Sequence, residues 1–153
     1  MFQVPMECDL SNRNAMISLI EIAPAFSFVL GKDFSPDPSA TDYRQGEFGN
    51  AVLVMTGPKF SLRFERDRGQ VFIDVGSARD GWHKLEYVLE FANPSITQQQ
   101  LGEPPDSATL ADLLLQNWDT VTCLFSDQTQ LPLLRDFSKE RASTLLSRIF
   151  RTS

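Results

Sequence analysis

His83 is the only histidine of the 153-residue chain, and so the only side chain whose ordinary charge changes near neutral pH. A histidine near a predicted helix start, flanked here by Trp82 and Lys84, could act as a general base. Its nearest carboxylates in sequence, Asp80 and Glu86, stand at helical spacing on either side, and no second histidine could complete a metal site. The sequence therefore favours a surface histidine without a catalytic or metal-binding role.

The chain also lacks the motifs of nucleophilic and phosphate chemistry. A nucleophilic serine or cysteine must lie beside a base, yet there is no G-x-S-x-G motif, and Cys8 and Cys123 lack C-x-x-C spacing. The closest glycine pair, Gly46 and Gly49, lacks the strand and helix that flank a phosphate loop. We therefore expect a protein that is not an enzyme, with no catalytic residue, no cofactor and no metal site.

The most concentrated group of charged residues lies on one face of a predicted sheet and at its turn. We predict a binding surface there, joined by an aromatic residue from the preceding polar segment. The candidate binding residues are Arg63, Glu65, Arg68, Asp74 and Tyr43. The alternative is that Arg63 and Asp74 form only a cross-strand ion pair of about 0.2–1 kcal/mol on a solvated surface.

Residues 51–76 predict the sheet itself, as three antiparallel strands joined by two turns. With the second turn at residues 67–70, Arg63 faces Asp74 and Phe64 faces Ile73, and Gly69 supplies the positive φ of a tight hairpin. Apolar and charged residues then separate onto opposite faces, and a slip of one residue would mix them. We expect the apolar face to be covered by helices.

The first turn is less well defined by its sequence. With the turn at residues 56–59, Met55 faces Phe60 and Leu53 faces Leu62, which keeps the apolar face continuous. Pro58 fits poorly at the third position of a type I turn, so a longer loop stays open as an alternative.

Apolar periodicity predicts helices before and after the sheet in the sequence. Met16, Leu19, Ile20 and Ala23 form a stripe that ends before Pro24. Residues 25–31 alternate like a strand, and residues 42–48 could form another edge strand.

A helix after the sheet is predicted to begin with Asp80 as its cap and to bury Trp82, Leu85 and Leu89, while Glu90 faces water. A last helical stretch covers residues 131–150, with a possible break near residues 136–138. We therefore predict one α+β domain over residues 1–153. It contains an antiparallel meander of three to five strands around residues 51–76, covered by amphipathic helices, and a helical part at about residues 107–151.

Charge and hydropathy restrict the kinds of partner. The net charge is −6, of which −4 falls in residues 1–50, and no basic stripe suits a phosphate backbone. No basic segment leads into a long apolar run, and no apolar run approaches about 18 residues. We therefore expect a cytoplasmic protein with reduced cysteines that binds neither nucleic acid nor a membrane.

The segment RDRGQVFIDVGSARDGWHKLEYVLEF, residues 66–91, resembles stretches of small uncharacterised bacterial proteins. In these a D-R-G-Q turn is followed by a strand, a short polar loop and an amphipathic helix. Some proteins of this kind are grouped with immunity proteins, which neutralise toxins of competing bacteria. The resemblance implies an inhibitor-type binding role.

Taken together, these features predict a non-catalytic protein-binding module, either an immunity-like inhibitor or an adaptor of a bacterial partner protein. One alternative is a homodimer built through the C-terminal helices, in which Leu115, Trp118 and Phe150 would be partly exposed in the monomer. The other alternative is a small hydrolase with His83 or Asp74 in a pocket.

Overall fold

The computed structural model describes residues 19–37, 39, 42–44, 50–77, 79–102 and 105–151, with only the backbone at 42–44, 50 and 149–151. Cys8, Met16, Gly46 and Gly49 lie outside the described residues. The chain divides into two compact units, Met1–Ser77 and Ala78–Ser153. The single domain over residues 1–153 stays a prediction, as does the covering of the apolar sheet face by the later helices.

The described part of the first unit contains five strands of an antiparallel sheet. β3 pairs with β4 and β4 with β5, while two short strands, β1 and β2, both pair with β3. Together with the helices of the second unit, this sheet confirms the predicted α+β class. The strands are β1 (Ser35–Pro36), β2 (Asp42–Arg44), β3 (Asn50–Thr56), β4 (Ser61–Asp67) and β5 (Gln70–Ser77).

The hairpin between β4 and β5 has the predicted register, with Arg63 opposite Asp74 and Phe64 opposite Ile73. Gly69 has the expected positive φ of 82°, and Arg68 has a φ of 52°. Positive φ at both central residues is typical of a type I′ turn, whose twist matches that of the strands. The strained backbone of Arg68 was not predicted.

The register between β3 and β4 differs from the prediction by two residues. Met55 pairs with Leu62 rather than Phe60, and Leu53 pairs with Phe64. The turn is a four-residue loop, 57–60, in which Gly57 N donates to Phe60 O at 3.0 Å. A shift of two residues leaves every side chain on its predicted face, so the alternation alone could not detect it.

β1 and β2 form one broken edge strand. Ser35 pairs with Thr56 and Asp42 with Val52, so both short strands lie along the same edge of β3. At the break, Ser39 donates from both its amide and its hydroxyl to Asp37 Oδ1, at 3.1 and 2.7 Å. Pro36 has no amide hydrogen to donate, which disfavours pairing of this edge with another strand.

Residues 25–31 are not a strand but belong to a 3₁₀ helix, Pro24–Gly31. Phe26 and Val29, three residues apart, are fully buried, as expected for three residues per turn. The Phe26 ring packs edge-on against Phe64 of β4, with centroids 5.2 Å apart. Pro24 fits at the start of this helix because the first helical amides need no partner there.

The helical residues 19–22 before it bury Leu19 and Ile22, and Ala23 is also buried. Ile20 was predicted in the buried stripe, but its side chain is 55% exposed. The buried residues Leu19, Ile22 and Ala23 are spaced i, i+3 and i+4, so Ile20 lies about 100° round the helix from Leu19 and outside the buried stripe.

The second unit opens with a short strand and is otherwise helical. Its elements are β6 (Gly81–Lys84), α1 (Leu85–Ala92), α2 (Gln98–Leu101), α3 (Ser107–Gln116), α4 (Trp118–Ser126) and α5 (Leu131–Arg151). The predicted cap at Asp80 is wrong, because residues 81–84 are extended and Lys84 is the N-cap. Trp82 therefore lies on a strand, and Glu90 is buried rather than facing water.

α5 is one continuous helix, so the predicted break near residues 136–138 does not occur. The turn before it is organised by Asp127, whose Oδ1 accepts from the hydroxyl and the amide of Thr129 at 2.6 and 2.9 Å. These two hydrogen bonds, the hydroxyl one most, lower the pKa of Asp127. The stability that these hydrogen bonds give the folded state is therefore fully present above the ordinary pKa of an aspartate. It is lost as the pH falls through the lowered pKa.

Gly57 provides a test of the corrected loop. A Cβ at this position would overlap ring atoms Cζ and Cε1 of Phe34, a buried side chain that packs edge-on against Phe60. We expect Gly57→Ala to lower the free energy of unfolding by about 1–3 kcal/mol, measured by urea denaturation. Gly31→Ala is the control, because nothing lies within 4 Å of its added Cβ. Equal losses in the two variants would contradict the packing of the loop against Phe34.

Candidate functional site

The side of the sheet opposite Leu53 and Phe64 carries the candidate binding residues and is partly covered, since Val54 on it is only 5% exposed. We call it the second face and define it by Val52, Val54, Arg63, Glu65, Phe72 and Asp74. The register arranges these in two rows across three strands. One row contains Val54, Arg63 and Asp74, and the next contains Val52, Glu65 and Phe72. Three of the five candidate residues are therefore brought together.

Arg63 and Asp74 are joined across the strands. Arg63 Nη2 and Nε both donate to Asp74 Oδ2, at 2.8 and 3.2 Å. Both side chains are partly covered, at 32% and 16% exposure. The structure therefore contains the predicted ion pair, and because the guanidinium is already held in place, little side-chain entropy would be lost if a partner bound there.

Phe72 is the residue of this face that the sequence reasoning did not select. It stands opposite Glu65, and its side chain is 45% exposed. The signal was present in the alternation, since Phe72 occupies a position of the polar face while its neighbours Val71 and Ile73 point the other way. Aromatic residues and arginine are enriched in the cores of protein interfaces.

Arg68 and Tyr43 do not join the two rows. Arg68 lies at the tip of the turn, almost fully exposed, with its Nε 4.0 Å from Asp67 Oδ1. Tyr43 pairs with Ala51, which belongs to the buried face, and the Tyr43 side chain lies outside the described residues. The backbone register therefore does not place Tyr43 with Arg63, Glu65 and Asp74.

His83 lies on β6 rather than on a helix, and its Nδ1 is 3.0 Å from the hydroxyl of Ser138. Ser138 lies in the interior of α5. The backbone amides of a helix interior are already hydrogen-bonded within the helix, so none beside Ser138 is free to stabilise an oxyanion. The contact between His83 and Ser138 therefore joins β6 to α5.

A buried ion pair joins α1 and α5 in the second unit. Glu90 is only 8% exposed, and Arg141 Nε lies 3.0 Å from its Oε2. No described group donates a well-directed hydrogen bond to that oxygen, so the attraction is one of charge. The Arg141 guanidinium also lies 5.2 Å from the centre of the Phe137 ring, and Phe137 packs edge-on against Phe91.

Other chemical features are sparse in the part of the chain that the structure describes. No group of three or more His, Cys, Asp or Glu side chains there could hold a metal ion. Cys123 is a free, exposed thiol. None of the described helices combines the length and the apolar character needed to cross a bilayer.

Comparison of the chain with protein-family models, curated proteins and solved structures finds no match in any of the three.

The Glu90–Arg141 pair predicts an asymmetric response to mutation. Arg141→Leu leaves a carboxylate buried without its cation, so we expect it to lower the free energy of unfolding by about 3 kcal/mol. Glu90→Leu leaves Arg141, which is 37% exposed and can turn to water, so its loss should stay below about 2 kcal/mol. Denaturant unfolding of both variants measures the difference.

The double variant Glu90→Leu/Arg141→Leu should lose less than the two single losses combined, by about 1–3 kcal/mol. Arg135→Leu, an exposed cation of the same helix, is the control and should change stability by less than about 0.5 kcal/mol. Additive losses in the double variant would show that the two charges do not stabilise each other.

Proposed function

We propose that this protein is a non-catalytic protein-binding module that contacts its partner protein through the second face of the sheet, with Phe72 as the apolar anchor. The observation that carries the proposal is the 45% exposure of Phe72 on a sheet face that also holds an ordered Arg63–Asp74 pair. A few aromatic and arginine side chains commonly provide most of the binding energy of a protein interface.

The physical argument concerns what Phe72 gains from a partner. Burying a phenylalanine side chain fully is worth about 1.5–3 kcal/mol, and almost half of Phe72 is still in water. Val52, in the same row, is only partly buried, so the apolar area extends beyond one ring. The charged groups of Glu65, Arg63 and Asp74 stand beside this area and would give an interface its orientation.

Two forms of this function follow from the sequence. The resemblance of residues 66–91 supports an inhibitor of the immunity type, and the segment includes β5 with Phe72 and the Arg68 turn. An adaptor that holds a partner without inhibiting it is the other form. Both require the same contact surface and differ only in what binding does to the partner.

A homodimer is the second candidate function. It is favoured by Leu115, which is 48% exposed on α3, and by Trp118, which is only partly buried at the start of α4. Phe150, the third residue of that prediction, has its side chain outside the described residues. The mass of the purified protein by light scattering separates a 17.2 kDa monomer from a dimer.

The proposal is tested by Phe72→Arg. Wild-type protein and variant are immobilised and incubated with lysate of the source cells, and retained proteins are quantified by mass spectrometry. We expect wild type to retain one stoichiometric partner and Phe72→Arg to bind it about thirtyfold more weakly, as for loss of an anchor worth about 2 kcal/mol. Thermal unfolding should be nearly unchanged, because Phe72 is already half in water.

Ile20→Arg is the matched control, since Ile20 is an equally exposed apolar side chain of the same unit but lies off the second face. It should retain the partner like wild type. Retention of the partner by Phe72→Arg would rule out this surface. A monomer that retains no protein from its own cells would overturn the binding function, and a stable dimer would favour the homodimer.

A further inference from the structure

α5 is a long helix with little buried surface. It contains 21 residues, yet among its described side chains, residues 131–148, only Leu134 is buried. By contrast, α1 contains eight residues and buries Leu85, Val88 and Leu89 completely. Because most of the stability of a helix in a protein comes from the packing of its apolar face, α5 is held much less strongly than α1.

The described side chains of α5 that are not exposed all lie on one stripe. They are separated by three, three, one and three residues, which is the spacing of one side of a helix. We call this set the docking stripe, and its members are Leu131, Leu134, Phe137, Ser138 and Arg141. Every side chain of residues 142–148 is exposed, so the packed part of α5 ends at Arg141.

The second half of the docking stripe makes two polar contacts with the rest of the second unit. Ser138 Oγ lies 3.0 Å from His83 Nδ1 on β6, and Arg141 Nε lies 3.0 Å from Glu90 Oε2 on α1. Water can replace both contacts when the helix leaves. Each contact therefore adds little to the free energy with which α5 is docked.

The Glu90–Arg141 pair in particular is costly to bury. The Glu90 side chain is 8% exposed, and no described group donates a well-directed hydrogen bond to its Oε2. The free energy lost when a carboxylate leaves water can exceed the attraction of its cation. Release of α5 would return this oxygen to water. The pair therefore fixes the position of α5 more than it strengthens the attachment.

We infer that α5 is a detachable latch, which separates from α1 and β6 as a unit while the rest of the second unit stays folded. The turn at residues 127–130 is the hinge, because its described hydrogen bonds join Asp127 to Thr129 and Gln130 and survive the separation. Release opens the Glu90 carboxylate and the edge of the Phe91 ring, which α5 contacts when docked. This conformational change lies in the second unit and does not depend on the contact through Phe72.

The alternative is that α5 leaves only when the whole second unit unfolds. The two cases differ in the surface area that opening exposes. Detachment of one helix exposes little surface, so its free energy depends weakly on urea, whereas global unfolding depends on it strongly. An isolated helix is marginally stable in water, so the backbone amides of α5 exchange once it is released.

Residue-resolved hydrogen exchange of the full chain, followed by NMR at urea concentrations below the unfolding transition, tests the inference. We expect the amides of residues 135–141 to exchange more slowly than in an unstructured peptide, which reports the docked state. They should exchange at least about tenfold faster than the slowest amides of α1 and α3, with a weaker dependence on urea.

Variants of the ion pair test what fixes the latch. Arg141→Leu should accelerate exchange at residues 135–141 about a hundredfold, because the docked state alone then contains a buried carboxylate without its cation. Glu90→Leu/Arg141→Leu should stay within about tenfold of wild type, since neither charge remains to be buried. Arg135→Leu is the matched control, an exposed cation of α5 outside the docking stripe, and should change the rate by less than about threefold.

Three outcomes would overturn the inference. One is a single exchange rate with a single strong urea dependence for α5 and α1, because α5 would then leave only on global unfolding. Another is unprotected amides at residues 135–141 of wild type, since there would be no docked state to release. The third is an equal effect of Arg141→Leu and Arg135→Leu. No partner enters the measurement, so its result is independent of the proposed binding function.

Discussion

The tight turn at Arg68 and Gly69 determines which side chains of the sheet enter the core and which remain outside. Both residues have positive φ, and this fixes the two-residue connection from which every pair of β4 and β5 follows. A slip of one residue would put Arg63 inside and Phe64 in water, at a cost of several kcal/mol for an unpaired buried charge. The buried face and the candidate surface are thus two consequences of one register.

The sequence predicted faces better than it predicted registers. Alternation has a period of two residues, so it assigned Met55, Leu53 and Leu62 to the buried face even though the β3–β4 register was two residues off. The missing information lay in a contact distant in sequence, the packing of Phe34 on Phe60 and against Gly57, which holds Phe60 in the loop. The alternation of residues within one segment cannot show which side chains from another segment pack against it.

The same limit explains the errors in the second unit. Helical periodicity placed Glu90 on the outside of α1, because a glutamate near a solvent-facing position is usually hydrated. Its actual partner, Arg141, is 51 positions later in the chain and lies on α5. Of the candidate site, the sequence identified Arg63, Glu65 and Asp74, whose grouping follows from the strand pairs alone.

Phe72 and Leu146 have in common that each departs from the pattern of its own element. Phe72 is apolar at a polar position of β5, and Leu146 lies off the side of α5 that packs on α1. A single exposed apolar residue is ordinary. Phe72 differs from Leu146 in that it stands beside an ordered ion pair, Arg63–Asp74. The partly exposed Arg63–Asp74 pair contributes at most about 1 kcal/mol to folding, and a half-exposed phenylalanine contributes less than a buried one, which is why the proposed contact is placed at Phe72.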